Sequence, residues 1–516
     1  MSGLFPGAHV AQRGDRPAVV MAGTGETWTY ADLDGYATRF ARVLRDLGVG
    51  VGDHVALCLE NRLEVVGVQW GAHYAGTFYT PISTRLGAEE LGYVVRDCGA
   101  KVLVVSDATA ERALEGVADL DGLAVLTVGG ERPGARALDD LLAVQGGAPL
   151  PDAVDGSEML YSSGTTGRPK GIRPALPGTP LGTTNILAPL LQGFFAFDAD
   201  SVYLSPAPYY HASPFKYCFT ATGMGATVVL MERFDAEAAL AAIERHAITH
   251  SQWVPTMLLR MLRLPDEVKA RYDLSSHRVA IHAAAPMPVE AKHAMIDWWG
   301  PVLHEFYASS EAIGLCHCTS QQWLERPGTV GRAIMGKLEI RDPETGTLLG
   351  PGEEGLVCFA EGRPFEYHGD AEGTAEAYTA PGVATVGDIG RVDEDGFLFL
   401  TDRRSNLIIT GGVNVYPQET EDVLAVHPKV ADVAVIGVPN DDFGEEVRAV
   451  VQVADGVEPS DELAAELVAY TRERLADVKC PRQVDFRDDL PREPNGKLLK
   501  RKLRDAYWAD RSSRLV

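Results

Sequence analysis

The sequence predicts an α/β fold. Layered sheets and helices form a large N-terminal domain with a small β unit, and a small α+β domain follows at the C-terminus. Three observations carry that expectation. Helix-period and strand-period segments alternate along the first third of the chain. From about Leu338, short strand-like runs separated by turn residues take over. After Asp402-Arg403-Arg404 comes a stretch about the size of an independent domain, with β and α runs of its own.

Taken in order, Tyr30 to Leu47 spaces its apolar residues at helical intervals and stops before Gly48. The strand-like run Val55 to Leu59 follows at once. Helical Val65 to Ala75 leads to Thr77–Ile82, and Glu89–Cys98 leads to Val102–Val105. Such alternation builds a largely parallel sheet, because parallel neighbours need a crossover helix between them. The pattern returns in Ala226–Met231, Ala236–His246 and Thr249–Val254. The β unit holds Leu338–Arg341, Gly355–Phe359 and Phe397–Leu400, parted by the turn-rich pieces Pro343–Gly346 and Asp393–Gly396. The last segment contains Val433–Val438, Glu445–Val453 and helix-like Asp461–Leu475. The boundary falls at Asp402 to Asn406, giving domains 1–402 and 403–516. No fixed-period repeat is present.

Composition narrows the function. The 516 residues include 47 Lys+Arg and 72 Asp+Glu, a formal charge of −25, with 46% hydrophobic and 23% charged residues. That mix supports a sizeable core and excludes disorder for most of the chain. The acidic balance disfavours nucleic-acid partners, which need clustered Lys and Arg. It leaves room for a local anion site. Met1 to Arg16 lacks the basic and apolar regions of a secretory signal. Ile186 to Phe197 is too short to span a bilayer and contains Pro189 and Gln192. The seven dispersed cysteines (Cys58, Cys98, Cys218, Cys316, Cys318, Cys358 and Cys480) read as reduced thiols of a cytoplasmic protein. Cys316-His317-Cys318 lacks the spacing of a zinc site, and no second ligand pair lies nearby.

The strongest chemical signal is Tyr161-Ser-Ser-Gly-Thr-Thr-Gly-Arg-Pro-Lys-Gly171. Four Ser/Thr residues, three glycines and a lysine fall within eleven positions. Glycines let backbone amides turn toward a ligand, and hydroxyls with Lys170 add donors and charge, which suits a polyphosphate. A Walker loop would need Gly-Lys-Ser/Thr together, and here Pro169 precedes Lys170. By composition alone an ordinary surface loop explains the segment as well.

This loop resembles the phosphate-binding signature of the adenylate-forming superfamily, which includes acyl-CoA synthetases, peptide-synthetase adenylation domains and luciferases. The resemblance continues in order over nearly the whole chain. Pro208-Tyr-Tyr-His211 resembles the aromatic/histidine segment beside the acyl pocket. Tyr307-Ala-Ser-Ser-Glu311 resembles the Tyr-Gly-x-Thr-Glu motif, and Gly387-Asp388 the ribose-binding Gly-Asp. Asp402-Arg403 and Gly411 to Pro417 resemble the hinge and the glycine stretch after it. Pro494-Asn-Gly-Lys497 resembles the C-terminal catalytic-lysine loop.

The resemblance implies two half-reactions: attack of a carboxylate on ATP to give an acyl-adenylate and pyrophosphate, then transfer to CoA. It assigns ATP or AMP binding to Ser162, Ser163, Gly164, Thr165, Thr166, Gly167 and Lys170. To the same ligand it assigns Ala284, Ala285, Pro286, Tyr307, Ala308, Asp388 and Arg403. Lys497 would bridge the carboxylate and the α-phosphate, and Ser310 would donate toward that phosphate. Glu311, with Thr165, would hold Mg²⁺, a hard cation that prefers oxygen. Gly411 and Gly412 would let the pantetheine arm of CoA pass close to backbone. Ser405 stands at the hinge about which a mobile small domain swings. Taken singly, each has a plain alternative: a solvated lysine for Lys497, a helix cap for Ser310-Glu311, a turn residue for Asp388. A surface ion pair would explain Arg403, and a tight turn Gly411-Gly412. Ala308 and Ser310 depart from the usual Gly and Thr, and Ser405 from the usual Asp or Lys.

For the acyl pocket the resemblance names His211, Phe215, Lys216, Trp253, Ala283 and Gly314. Lys216 could recognise a second acidic group, or point to solvent or a phosphate. No aspartate near Trp253 matches the one that peptide-synthetase domains use to grip an amino group. Arg168 to Pro174 and Ser251 to Pro255 resemble fatty-acyl or aryl-acyl CoA synthetases of the bacterial long-chain type. The leading expectation is an ATP-dependent ligase joining a fatty or aryl acid to CoA, as monomer or homodimer. Alternatives are an adenylate-forming enzyme with another acceptor (a carrier protein, an amine, or nitrite activation for diazotisation) and a non-catalytic nucleotide-binding homologue.

Overall fold

The computed structural model describes residues 3–162, 169–183, 185–440, 442–492 and 498–509. Chain contacts divide it into two compact units. The first comprises Met1–Trp253, Leu264–Ile281 and Phe365–Thr374; the second comprises Val254–Arg263, His282–Pro364 and Ala375–Val516.

In the first unit the helix Tyr30–Asp46 opens on a capping box, with Thr29 and Asp32 each satisfying the other's backbone amide. It ends before Gly48, whose φ of 76° reverses the chain. One sheet is wholly parallel. Its order is Arg136–Ala137, Ala124–Val128, Ala100–Ser106, His54–Cys58, Phe78–Pro81 and Ser157–Glu158. The run Val102–Val105 is fully buried, as expected of a central parallel strand covered on both faces. A second sheet runs in the order Val279–His282, His250–Trp253, Val202–Ser205, Thr227–Leu230, Pro17–Met21 and Thr27–Thr29.

The second unit is built on antiparallel strands. Their order is Leu303–Ala308, Leu315–Thr319, Thr329–Met335, Phe397–Arg403, Val383–Val392, Gly355–Ala360 and Lys337–Arg341. This β region begins at Leu303, well before the expected Leu338. Its first strands carry Glu305 and His317 among the apolar positions, which hides their alternation.

In the same unit, the described residues between 408 and 508 include a five-stranded sheet of Ile408–Thr410, Val413–Val415, Val430–Asn440, Gly444–Val453 and Gln483–Phe486. Its helices are Gln418–Ala425, Asp461–Arg472 and Lys500–Trp508. The segment has cores of its own. Val435, Ala449, Val451 and Leu467 fill one, and Ala434, Val450 and Leu503 fill the other. Among the described residues no helix is long and apolar enough to cross a membrane.

Cys316 and Cys318 lie buried on one face of their strand, while His317 faces the other way and meets His304 at 3.0 Å. Strand alternation keeps these three groups from converging. Burial pushes both thiols up to about 12.

Candidate active site

Antiparallel register creates the centre of the site in the second unit. Asp388 on Val383–Val392 stands directly across from Arg403 on Phe397–Arg403. The Arg403 Nε donates to Asp388 Oδ1 at 3.1 Å, and the Tyr307 hydroxyl donates to Asp388 Oδ2 at 2.6 Å. Burial, reinforced by the Asp388 carboxylate, pushes the Tyr307 phenol well above its ordinary value, so it stays a donor. Burial alone would lower the Arg403 guanidinium; Asp388, Tyr307 and Glu311 outweigh it and hold it above the ordinary value. Glu311 thus lies within electrostatic reach of Arg403, and the residue is largely buried at 9% exposure. A carboxylate offers about four acceptor positions. Asp388, with two taken, keeps capacity for ligand hydroxyls.

Two alanines of the same unit hold strained backbone. Ala284, in the Ala283–Pro286 segment, has φ +77°, and Ala312, directly after Glu311, has φ +54°. Non-glycine residues in this region cost about 1–2 kcal/mol each, and such strain concentrates at functional sites. Ala283 is buried, Ala284, Pro286 and Ala308 are exposed, and Ala285 and Ser310 are partly buried.

Gly314 has a packing reason to be glycine. A Cβ there would overlap Cδ1 of Phe359, whose ring stacks on Tyr307 with centroids 6.3 Å apart. Gly314→Ala is therefore expected to destabilise the protein by about 1–3 kcal/mol through overpacking. A lower denaturation midpoint checks this.

Gly411 and Gly412 form the two-residue turn joining Ile408–Thr410 to Val413–Val415, with φ of 56° and 79°. A hairpin turn with positive φ at both central positions demands such residues, so the turn alternative accounts for both. Ser405 lies exposed in the 3-10 turn Arg404–Asn406.

Within the first unit, the strand Leu160–Ser162 pairs with Lys170–Ile172, placing Ser162 opposite Lys170. Lys170 is engaged: its Nζ lies 2.8 Å from Asp370 and 4.9 Å from the centroid of Tyr367. Ser163 to Gly167, including Thr165, and Lys497 lie outside the described residues. His211 precedes the helix Ala212–Gly223, and its Nε2 has no hydrogen-bond partner among the described residues. Burial, with Arg85 nearby, lowers the His211 imidazole to about 3, so it is neutral at pH 7. Phe215 and Trp253 are fully buried, and the Trp253 indole donates to Ser251 Oγ at 2.6 Å. Lys216 lies 3.4 Å from Glu158, each about one-third exposed.

Sequence reasoning missed Glu158, Asp370, Tyr367 and Phe359. Each contacts a motif residue from a distant stretch of chain with no local signature.

Comparison with known proteins supplies the decisive observation. The AMP-binding enzyme profile matches residues 7–363, and the AMP-binding enzyme C-terminal domain profile matches 419–497. The chain belongs to the AMP-binding, adenylate-forming family. This AMP-binding enzyme is similar over its length to acid–CoA ligases. It is 34% identical to the 3-[(3aS,4S,7aS)-7a-methyl-1,5-dioxo-octahydro-1H-inden-4-yl]propanoyl:CoA ligase of Rhodococcus jostii RHA1, over 92% of this chain and 93% of that one. It is 32% identical to the long-chain-fatty-acid–CoA ligase FadD13 of Mycobacterium tuberculosis, over 95% of each. In structure it resembles ATP-bound MatB from Rhodopseudomonas palustris, with a TM-score of 0.82 at 29% identity over 98% and 99% of the two chains.

One titration belongs to this enzyme's C-terminal sheet region. Burial, reinforced by Glu421 and Asp402, raises the Asp422 carboxyl from 3.8 to about 7, against the opposing Gln418 hydrogen bond and Lys500. The fold thus binds a proton that the unfolded chain releases near pH 4. Stability attributable to Asp422 falls as pH rises from about 4 through 7. Asp422→Asn is expected to gain about 2 kcal/mol over the parent at pH 8, with the gain vanishing near pH 4. Denaturant midpoints across that range check the slope.

Proposed function

We propose that this enzyme is an ATP-dependent, AMP-forming ligase that joins a fatty or aryl carboxylic acid to CoA. The Asp388 carboxylate held between Tyr307 and Arg403 carries the reading, since it leaves acceptor capacity for two ribose hydroxyls beside a fixed cation.

In the first step a carboxylate oxygen of the acid bonds to the α-phosphorus, and the bond to the β-phosphate oxygen breaks to release pyrophosphate. Negative charge gathers at phosphorus, so the step requires oriented donors and cations. Ser310 and Lys497 supply them in this proposal, while Ser162 to Gly167 and Lys170 cradle the phosphates. Mg²⁺ fits the hard carboxylate oxygens of Glu311 and, with Thr165, would supply charge neutralisation at the phosphates. Ala284, Ala285, Pro286, Ala308 and Tyr307 line the adenine. In the second step the CoA sulfur bonds to the acyl carbon and AMP departs from it. Residues 403–516 turn about Ser405 between the steps, and Gly411-Gly412 lets the pantetheine pass. That the segment has its own cores supports the turning.

The acyl tail in this proposal is uncharged and meets Phe215, Trp253 and neutral His211 of the first unit. Glu158 offsets the Lys216 charge, which favours this tail over one with a second carboxylate. Trapping with hydroxylamine tests the chemistry. With MgATP and a panel of acids, a hydroxamate should accumulate together with AMP and pyrophosphate. ADP as the nucleotide product would overturn the reading.

A further inference from the structure

The helix Gln418–Ala425 is gripped at both ends by residues outside 403–516. At its start the Gln418 amide donates to Asp402 Oδ2 at 3.1 Å, and nearby Tyr416 packs against the cluster of Leu356, Cys358, Val383 and Ile389. At its end the Arg263 Nη2 donates to the carbonyl of Ala425, the last helical residue, at 3.1 Å. Helices leave amides orphaned at the start and carbonyls at the finish. A carboxylate at the first and a guanidinium at the second also suit the helix dipole.

Arg263 reaches more than one carbonyl. Its Nη2 also donates to the Val430 carbonyl at 2.9 Å, and its Nη1 to the Ala431 carbonyl at 2.9 Å. These two residues open Val430–Asn440, the edge strand of the five-stranded sheet. Successive carbonyls of a regular strand point in opposite directions. Here the register skips Ala431, pairing Val430 with Val453 and Asp432 with Gln452. Such a bulge breaks the alternation, and two neighbouring carbonyls meet one guanidinium. The planar fork of five donors on Arg suits converging carbonyls better than the point charge of a lysine. Arg263 itself is exposed and belongs to neither apolar core of this segment. Its three hydrogen bonds are best explained by what they hold still.

The two grips differ in leverage. Asp402 and Tyr416 lie in the chain on either side of Ser405, the pivot of the proposed turning. Ala425 stands a helix length further on, and eight helical residues span about 12 Å. A turn of about 20° across that helix carries its far end about 4 Å, beyond hydrogen-bond reach. The grip beside the pivot rides through such a turn. The Arg263 grip breaks.

We propose, resting on the ligase reading above, that Arg263 is a positioning residue that holds residues 403–516 in one of the two orientations of the reaction cycle. It acts through the far end of the helix Gln418–Ala425 and lets go each time the segment turns. Hydrogen bonds at an exposed site are individually weak, so losing all three shifts the balance of orientations about tenfold.

The experiment compares Arg263→Met and Arg263→Lys with the parent enzyme. Adenylation is read by acid-dependent ATP–pyrophosphate exchange, and transfer by thioester formation from synthetic acyl-adenylate and CoA. Arg263→Met should change the ratio of the two kcat values about tenfold, slowing one half-reaction without slowing the other, at unchanged KM for the acid. Arg263→Lys should lie between the two. Equal losses in both half-reactions, or an unchanged ratio, would overturn the proposal. A second readout needs no catalysis. Spin labels on Leu348→Cys and Val478→Cys, exposed positions before and after Ser405 in the chain, report the distance between the two segments by pulsed electron resonance. The seven native cysteines are buried. Arg263→Met should move population away from the parent's dominant distance, and identical distributions would overturn the proposal. A parent enzyme that shows no exchange with any acid, while its label distances still respond to Arg263→Met, would defeat the ligase reading alone.

Discussion

Lys497→Ala lowers acyl-adenylate formation by about 10²–10³-fold, the usual loss when one oriented group stabilising a phosphoryl-type transition state is removed. Thioester formation from pre-made acyl-adenylate should stay within about twofold of the parent, because in the proposed role the lysine acts only while the α-phosphate is under attack. Separate assays of the two half-reactions check this. Equal loss in both would remove Lys497 from the role assigned to it. The expectation comes from the position of Lys497 in the ordered motif series.

Asp388→Ala acts on binding and stability together. Two hydrogen bonds from ribose to a carboxylate contribute about 1.5–3 kcal/mol each at most. Their loss should raise the KM for ATP about 100-fold or more. The change also strips Arg403 of its ion-pair partner and Tyr307 of its acceptor. The guanidinium remains 39% exposed, so solvent softens the penalty to about 1–2 kcal/mol. Asp388→Asn keeps the shape and one acceptor and should fall between the two. Titration of ATP dependence together with thermal unfolding separates the two effects. An unchanged KM for ATP would show that Asp388 serves only the packing of Tyr307 and Arg403.

Much of the fold was legible because its strands and helices follow simple periodicity. The parallel strands Ala100–Ser106 and His54–Cys58 lie close to the runs Val102–Val105 and Val55–Leu59, since buried parallel strands are uninterrupted apolar runs. The helix Tyr30–Asp46 was marked at its end by Gly48. Strands such as Leu303–Ala308 and Leu315–Thr319 were illegible, because buried Glu305 and His317 break their alternation.

The same division holds for the candidate site. The ordered motifs pointed to Tyr307, Asp388 and Arg403, and the structure brings these three together. What could not be read were the partners supplied by tertiary packing. Glu158 beside Lys216, Asp370 beside Lys170 and Phe359 under Tyr307 come from segments 50 to 200 residues away. Periodicity and spacing report on one stretch of chain at a time, and these contacts join two. Lys500 shows the limit most clearly. In sequence it is one of several basic residues after Lys497, and only its burial between Glu421 and Asp402 sets it apart.

The most direct test of the account is pyrophosphate release over a panel of fatty, aryl and alicyclic acids plus nitrite, each with and without CoA. The account predicts that at least one uncharged-tail carboxylic acid drives sustained release only when CoA is present, with stoichiometric acyl-CoA and AMP. Release that is indifferent to CoA, or driven by nitrite and by no carboxylate, would contradict it.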